Sequence, residues 1–432
     1  MATAILGVGV LLVAASLFIA LFRRTRIPDV LLLILLGVLL GPVAHVVSPA
    51  DFGKVGGAMS TIALTVILFE SGLSLQLAVL RQSLGATLRV TLLAFLAAMA
   101  VVAACGHYGL GLPWILALGL GGIAGGTSSA VVIPMVRQLA LDRVPATVLV
   151  LESAITDVLA IVIGGAFLRA FLEGSTNPAA ISWGVVASLA FAAVIGVASA
   201  LLFLLSVNVV RRMPNAMVAV IAFVLVTYGV AESLAVSGAI ASLTLGFVLS
   251  NRVPLGISRL RVFSHVADLR EPRYVALFLA DAIFLLKTFF FLYLGISVEF
   301  TDWRLAALGL GAVLAIYLTR ATVVRLTMPT STSRWDASVM TVMGPKGLAA
   351  AVLAGVPTQL GIAQGDAMQQ FTYMVVLASI VVTSVLVPQL ARGPVGVVMD
   401  QLFGTYAPLP AEAGTGGLFR PVDEADDDRP RP

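Results

Sequence analysis

The stretch VPATVLVLESAITDVLAIVIGGAF carries Glu152, Ser153, Thr156 and Asp157 in the middle of an otherwise apolar run. An ionisable group at the centre of a bilayer costs at least about 2.5–3.5 kcal/mol, so each one kept there is a functional hypothesis. At about 100° per residue, Ser153 and Asp157 share one helical face and Glu152 and Thr156 share another. Glu152 and Asp157 therefore point about 140° apart. Two carboxylates on different sides of one helix read as an ion ligand and a structural anchor. The plain alternative is that both acids pair with basic residues and only hold helices together. The other charges inside apolar runs are Glu70, Lys287 and Arg320, with Glu232, Asp281 and Lys346 set aside as lying near a surface or a loop.

Two further stretches break the helical pattern. LGLGGIAGGTSSAVVIP places Gly119, Gly121, Gly122, Gly125 and Gly126 ahead of Thr127, Ser128, Ser129 and Pro134. Backbone freed from a helix at membrane depth is tolerated only where it lines a cavity or binds something. Close packing through small residues is the bland account of this stretch alone. TVMGPKGLAAAVLAGVP interrupts a later run with Gly344, Pro345 and Gly347. Paired interruptions in corresponding halves point to a transporter site where two broken helices cross.

The elements that must position these groups follow from hydropathy. The chain has 432 residues, 59% hydrophobic and 11% charged, against about 25% charged in a soluble domain. A soluble protein is excluded. Apolar runs of about 20 residues recur, the signature of a helical polytopic protein rather than an outer-membrane barrel. Thirteen candidate spans lie near 4–22, 27–47, 56–75, 84–105, 112–138, 144–172, 181–210, 215–233, 236–250, 274–298, 303–326, 336–358 and 368–391. The interrupted spans are the fifth and the twelfth, so the chain divides into six spans, one linker and six, with the second half inverted. The first run reads as a retained span rather than a signal peptide.

Placing the first loop, with Arg23, Arg24 and Arg26, in the cytoplasm puts 17 loop Lys/Arg inside and only Lys54, Arg169 and Arg304 outside. This satisfies the positive-inside rule, with the N-terminus outside and the C-terminus inside. Arg252–Arg273 reads as an amphipathic cytoplasmic connection along the membrane surface. Residues 1–394 read as the transmembrane domain and 395–432, ending DEADDDRPRP, as a short disordered cytoplasmic tail. Cys105 is alone, and no paired His/Cys ligands, phosphate loop or metalloprotease motif is present, so an enzyme and a resident cofactor are not expected. His45, His107 and His265 fall in loops, and Phe289–Phe291 reads as a lipid or dimer contact.

From Ile27 to Leu390 the order and spacing of IPDVLLLILLGVLLGP, LFESGLSL, GGTSSAVVIP, LESAITD, ESLAVSGAIASLTLGFVLSNR, FLLKTFFFLYLGI, Arg320 and GPKGLAAAVLA resemble the monovalent cation:proton antiporters. The resemblance is to the branch of NhaP-type sodium/proton antiporters and animal sodium/proton exchangers. It implies an all-α fold of thirteen helices in two inverted repeats, a homodimer, elevator-type alternating access and a place in the cell inner membrane. By position, Asp157 is similar to the aspartate that binds either the cation or protons, with Ser153, Thr127 and Glu70 completing an oxygen shell. Glu152 is similar to the glutamate that pairs with an arginine of the eleventh helix, here Arg320. Lys287 and Lys346 are accessory candidates.

The chain departs from the branch where Asn-Asp becomes Thr156-Asp157 and Gly-Pro-Arg-Gly becomes Gly344-Pro345-Lys346-Gly347. A neutral residue before the aspartate is similar to members exchanging one proton per cation. A desolvated carboxylate holds its proton tightly and a nearby cation displaces it, so Na⁺ or Li⁺ and H⁺ compete at Asp157. Hard cations favour the carboxylate, hydroxyl and carbonyl oxygens this site offers. A K⁺/H⁺ exchanger of the same fold stays open, as, more remotely, do a cation channel and a transport-dead sensor.

Overall fold

The structure, a computed structural model, describes residues 2–25, 28–174, 177–210, 213, 216–257, 273–300 and 302–408. Most of the Arg252–Arg273 connection, His265 and the acidic end of the tail lie outside the described residues. Eight helices are long and apolar enough to cross a membrane, and five shorter apolar helices accompany them, among the described residues. They fall on the thirteen segments read from the sequence. Helix length follows from backbone economy, because a chain in lipid must satisfy its N–H and C=O groups within each segment.

The helices are α1 (Ala2–Thr25), α2 (Asp29–Val38), α3 (Pro49–Ser74), α4 (Leu77–Ala104), α5 (Trp114–Gly125), α6 (Ser129–Gln138), α7 (Arg143–Leu172), α8 (Pro178–Val210) and α9 (Ala216–Ser233). They continue with α10 (Gly238–Ser250), α11 (Arg273–Ser297), α12 (Trp303–Thr327), α13 (Arg334–Val342), α14 (Leu348–Ala354), α15 (Val356–Gln359), α16 (Gly365–Arg392) and α17 (Pro394–Leu402). Wide π-helical turns extend α2 over Leu39–Val43 and α4 over Cys105–Gly109. His107 thus belongs to the end of a span rather than to a loop, with its ring stacked on Trp114.

Packing sorts the helices into two groups. In the first, α3 lies on α10, α2 on α11, and α8 and α9 on α10; in the second, α5 lies on α7 and α4, and α12 on α16 and α4. Contacts of α3 with α14, α2 with α16 and α7 with α8 form the seam. Two glycine crossings set the first group. A Cβ on Gly72 would strike the Leu243 carbonyl and one on Gly246 the Phe69 carbonyl. Gly37 and Gly295 meet Leu292 and Ile34 in the same way. Small residues let helix backbones approach closely where lipid offers no hydrophobic drive to association. We expect Gly246→Val to cost about 1–3 kcal/mol through overpacking, read as a lower unfolding temperature in detergent. Gly229→Val on α9, where an added Cβ meets nothing, should stay near wild type; equal losses in the two variants would overturn the crossing's role.

Two expectations are corrected. Phe290 and Phe291 are buried in the core rather than facing lipid or a second copy, while Phe289 stacks on Tyr293 and meets Phe52 edge-on. The folded region also runs past 394. After α17, Phe403 and Tyr406 are buried, and Ala407 pairs with the α12–α13 loop through its N–H to Thr330 O at 3.0 Å and its carbonyl from Arg334 N–H at 2.9 Å. Arg334 Nη2 donates to Gly404 O at 2.8 Å, and Tyr406 Oη to the carbonyls of Arg325 and Met328. Composition hid this strap, because two aromatic anchors suffice to hold a segment otherwise rich in Gly and Pro.

Candidate ion-binding site

The two sequence interruptions are real breaks that face each other. α5 ends at Gly125 and α6 begins at Ser129, with Gly126 extended between them. α13 ends at Val342 and α14 begins at Leu348. Pro345 has no N–H to continue a helical ladder, and Gly347 has no Cβ where the Ser128 hydroxyl lies. The freed groups are satisfied across the crossing. Ser128 N–H donates to Pro345 O at 2.7 Å. Thr127 N–H donates to Thr156 Oγ1 at 2.9 Å and Lys346 N–H to Ser379 Oγ at 2.8 Å.

A cation meets the C-terminal end of each broken half-helix. Lys346 Nζ donates to Gly125 O at 2.8 Å, at the end of α5, and Arg320 Nε to Met340 O at 2.7 Å, in the last turn of α13. Positive charge at these ends offsets the partial negative charge of unpaired carbonyls. Lys346 lies in the non-helical break and is 3% exposed, so it stands in a loop but not near a surface. The signal was its position inside an interruption, where a charge needs a carbonyl partner.

On α7 the two carboxylates separate as their helical angle requires. Glu152 is gripped by both Nη atoms of Arg320, with Nη2 to Oε2 at 2.8 Å. Asp157 is 6% exposed and has no ion-pair partner among the described residues. Its Oδ2 accepts the hydroxyl of Ser129 at 3.0 Å, and Ser129 in turn accepts from Ser71 of α3 at 3.4 Å. The sequence reading named Ser129 only as part of the break and did not single out Ser71, which follows Glu70; neither carries a charge to draw attention to it as a partner of Asp157.

The rest of the expected shell is arranged differently. Ser153 is buried and its hydroxyl hydrogen goes to Val150 O at 2.9 Å, leaving its lone pairs to offer. Thr127 is buried in the break, and Thr156 holds its N–H while donating to Ser153 O. Glu70 makes no hydrogen bond or ion pair with Asp157 among the described contacts; it stands on α3, with Lys287 and Arg137 as the cations acting on it. Lys287 is paired with Asp29 at 2.8 Å. Asp29 escaped notice because it stands at the very start of its span.

A family model described as "Sodium/hydrogen exchanger, transmembrane" matches residues 11–393. The chain belongs to the sodium/hydrogen exchanger family. Among curated relatives, Na(+)/H(+) antiporter 1 of Methanocaldococcus jannaschii is 27% identical over 173 residues, covering 39% of this chain and 41% of that protein. K(+)/H(+) antiporter NhaP of Alkalimonas amylolytica is 24% identical over 401 residues, covering 90% of this chain and 66% of that protein. The matches thus span less than two thirds of these relatives' own lengths. The chain's fold is similar to that of the sodium proton antiporter MjNhaP1 of Methanocaldococcus jannaschii at pH 8, with a TM-score of 0.72 and 21% identity over 89% of this chain and 99% of that one.

Proposed function

We propose that this exchanger is a secondary active antiporter moving Na⁺, or Li⁺, against H⁺ through Asp157. The observation that carries the reading is the contrast on α7: Glu152 has a fixed cation in Arg320, and Asp157 has none among the described residues. A buried carboxylate without a fixed partner is too costly to carry across a bilayer bare. Either H⁺ or a metal cation must neutralise it before the site changes sides, and that requirement couples the two fluxes. Thr127, Ser153 and Glu70 supply further oxygens as the site closes around its ion.

One unpaired carboxylate at the helix crossing supports one proton per monovalent cation, an electroneutral exchange. The two packing groups and their seam support elevator-type movement of α4–α7 and α12–α16 past the rest, while the family resemblance favours a homodimer in the inner membrane and the Lys/Arg asymmetry of the loops an outside N-terminus. The name of the Alkalimonas relative favours K⁺ as a second reading. Proteoliposomes carrying a pH gradient, given Na⁺, Li⁺ and K⁺ in turn, should dissipate it with Na⁺ or Li⁺ and show no net current. Dissipation by K⁺ alone would move the assignment to K⁺/H⁺ exchange, current without proton coupling would indicate a channel, and no flux would indicate a sensor.

A further inference from the structure

The Ser71, Ser129 and Asp157 side chains form a single hydrogen-bonded file, Ser71 Oγ–H to Ser129 Oγ and Ser129 Oγ–H to Asp157 Oδ2, at 3.4 and 3.0 Å. Both serines are almost wholly enclosed, at 3% and 4% exposed. The file crosses the seam, since Ser71 stands on α3 of the first packing group while Ser129 and Asp157 stand on α6 and α7 of the second. We propose that Ser129 is a specificity-determining residue of the exchange site, biasing Asp157 toward the metal cation and against the proton, and that Ser71 holds Ser129 in the orientation that does so.

The reason lies in what a hydroxyl can donate. It has one hydrogen. An ionised or cation-bound carboxylate only accepts, so Ser129 donates to it and remains free to accept from Ser71. A proton on Oδ1 leaves Oδ2 an uncharged and weaker acceptor, and a proton on Oδ2 makes Asp157 a donor. In the second case Ser129 must accept from Asp157 and turn its hydrogen toward Ser71, which must give up its own donation. The observed file therefore fits the ionised or cation-loaded site best and is weakened or reversed by the proton-loaded one. Hydrogen bonds to charged groups are the stronger class, so the bias is of consequence in so enclosed a place. The other charged groups on helices packed against α7 are Asp51, Lys54 and Glu70 on α3, Arg81 and Arg89 on α4, Arg137 on α6, Arg334 and Asp336 at the start of α13, and Lys346 before α14. The side-chain hydrogen bonds described at Ser129 go to Ser71 and Asp157.

The test is the pH profile of Na⁺-dependent proton flux in proteoliposomes, with the half-saturating Na⁺ concentration at fixed pH. Ser129→Ala should move the profile about one unit toward alkaline pH and raise the half-saturating Na⁺ about tenfold at its acid edge. Ser71→Ala should move both in the same direction by less, and the double variant no further than Ser129→Ala. Ser129→Thr, which keeps the hydroxyl, should return the profile. The inference rests on Asp157 being the exchange carboxylate, and the two fail separately. Retained exchange in Asp157→Asn removes the function reading, whereas an active Ser129→Ala protein with unmoved profile and Na⁺ dependence overturns this inference alone. Should Ser129→Ala not fold, the Ser71→Ala profile decides in the same way.

Discussion

Asp157→Asn is expected to bring cation-dependent proton flux down to the level of empty liposomes while leaving the protein folded. Asparagine has nearly the shape of aspartate and keeps an oxygen to accept the Ser129 hydroxyl, which now stands 3.0 Å from Oδ2. What it loses is the ability to be charged when empty and neutral when loaded. A permanently neutral site gives neither H⁺ nor Na⁺ a reason to exchange. The same change removes an uncompensated buried charge, so the unfolding temperature should hold or rise, because such a charge is itself a cost to the folded state. Loss of flux with an intact, monodisperse protein therefore separates chemistry from folding. Retained exchange would end the assignment of Asp157.

The opposite signature is expected at Glu152. Glu152→Gln leaves Arg320 buried with Met340 O but without its carboxylate, and breaking a buried pair by removing one partner costs about 3–5 kcal/mol. Arg320→Met strands Glu152 in the same way. Their combination removes both charges and should recover much of the stability, since replacing a buried pair by apolar groups is often close to neutral. Thermal unfolding of the two single variants and the double variant measures this coupling. A Glu152→Gln protein that is fully stable but selectively loses Na⁺ affinity would show that the pair is part of the ion site instead. Because Arg320 also caps α13, the single arginine variant should be the more damaging of the two.

Much of this was legible because membranes make charge scarce. Asp157, Glu152 and Arg320 stand out in apolar runs, and the 3.6-residue period alone separates the two carboxylates on α7. Gly126, Pro345 and Gly347 announce the breaks, since no regular helix tolerates them together in lipid. Hydroxyl partners were not legible. Serine is neutral, common and equally at home donating to its own helix, as Ser153 does to Val150, so nothing in the sequence distinguishes Ser129 or Ser71 from it. Asp29 was missed, and the burial of Lys346 was not foreseen, for a different reason: each lies at an end or interruption of an apolar run, and position along the run says nothing about depth once the helix is broken. The strap beyond 394 depends on Tyr406, packed on Phe403, meeting the end of α12 some eighty positions earlier in the chain, a pairing that local composition does not encode.

That strap changes where the end of the described chain is moored. Ala407 lies against the loop feeding α13, not at the free end of α16, so the last described residues are fastened to the packing group that contains Asp157. A load placed on Ala407 would pass through Arg334 to the root of a broken helix.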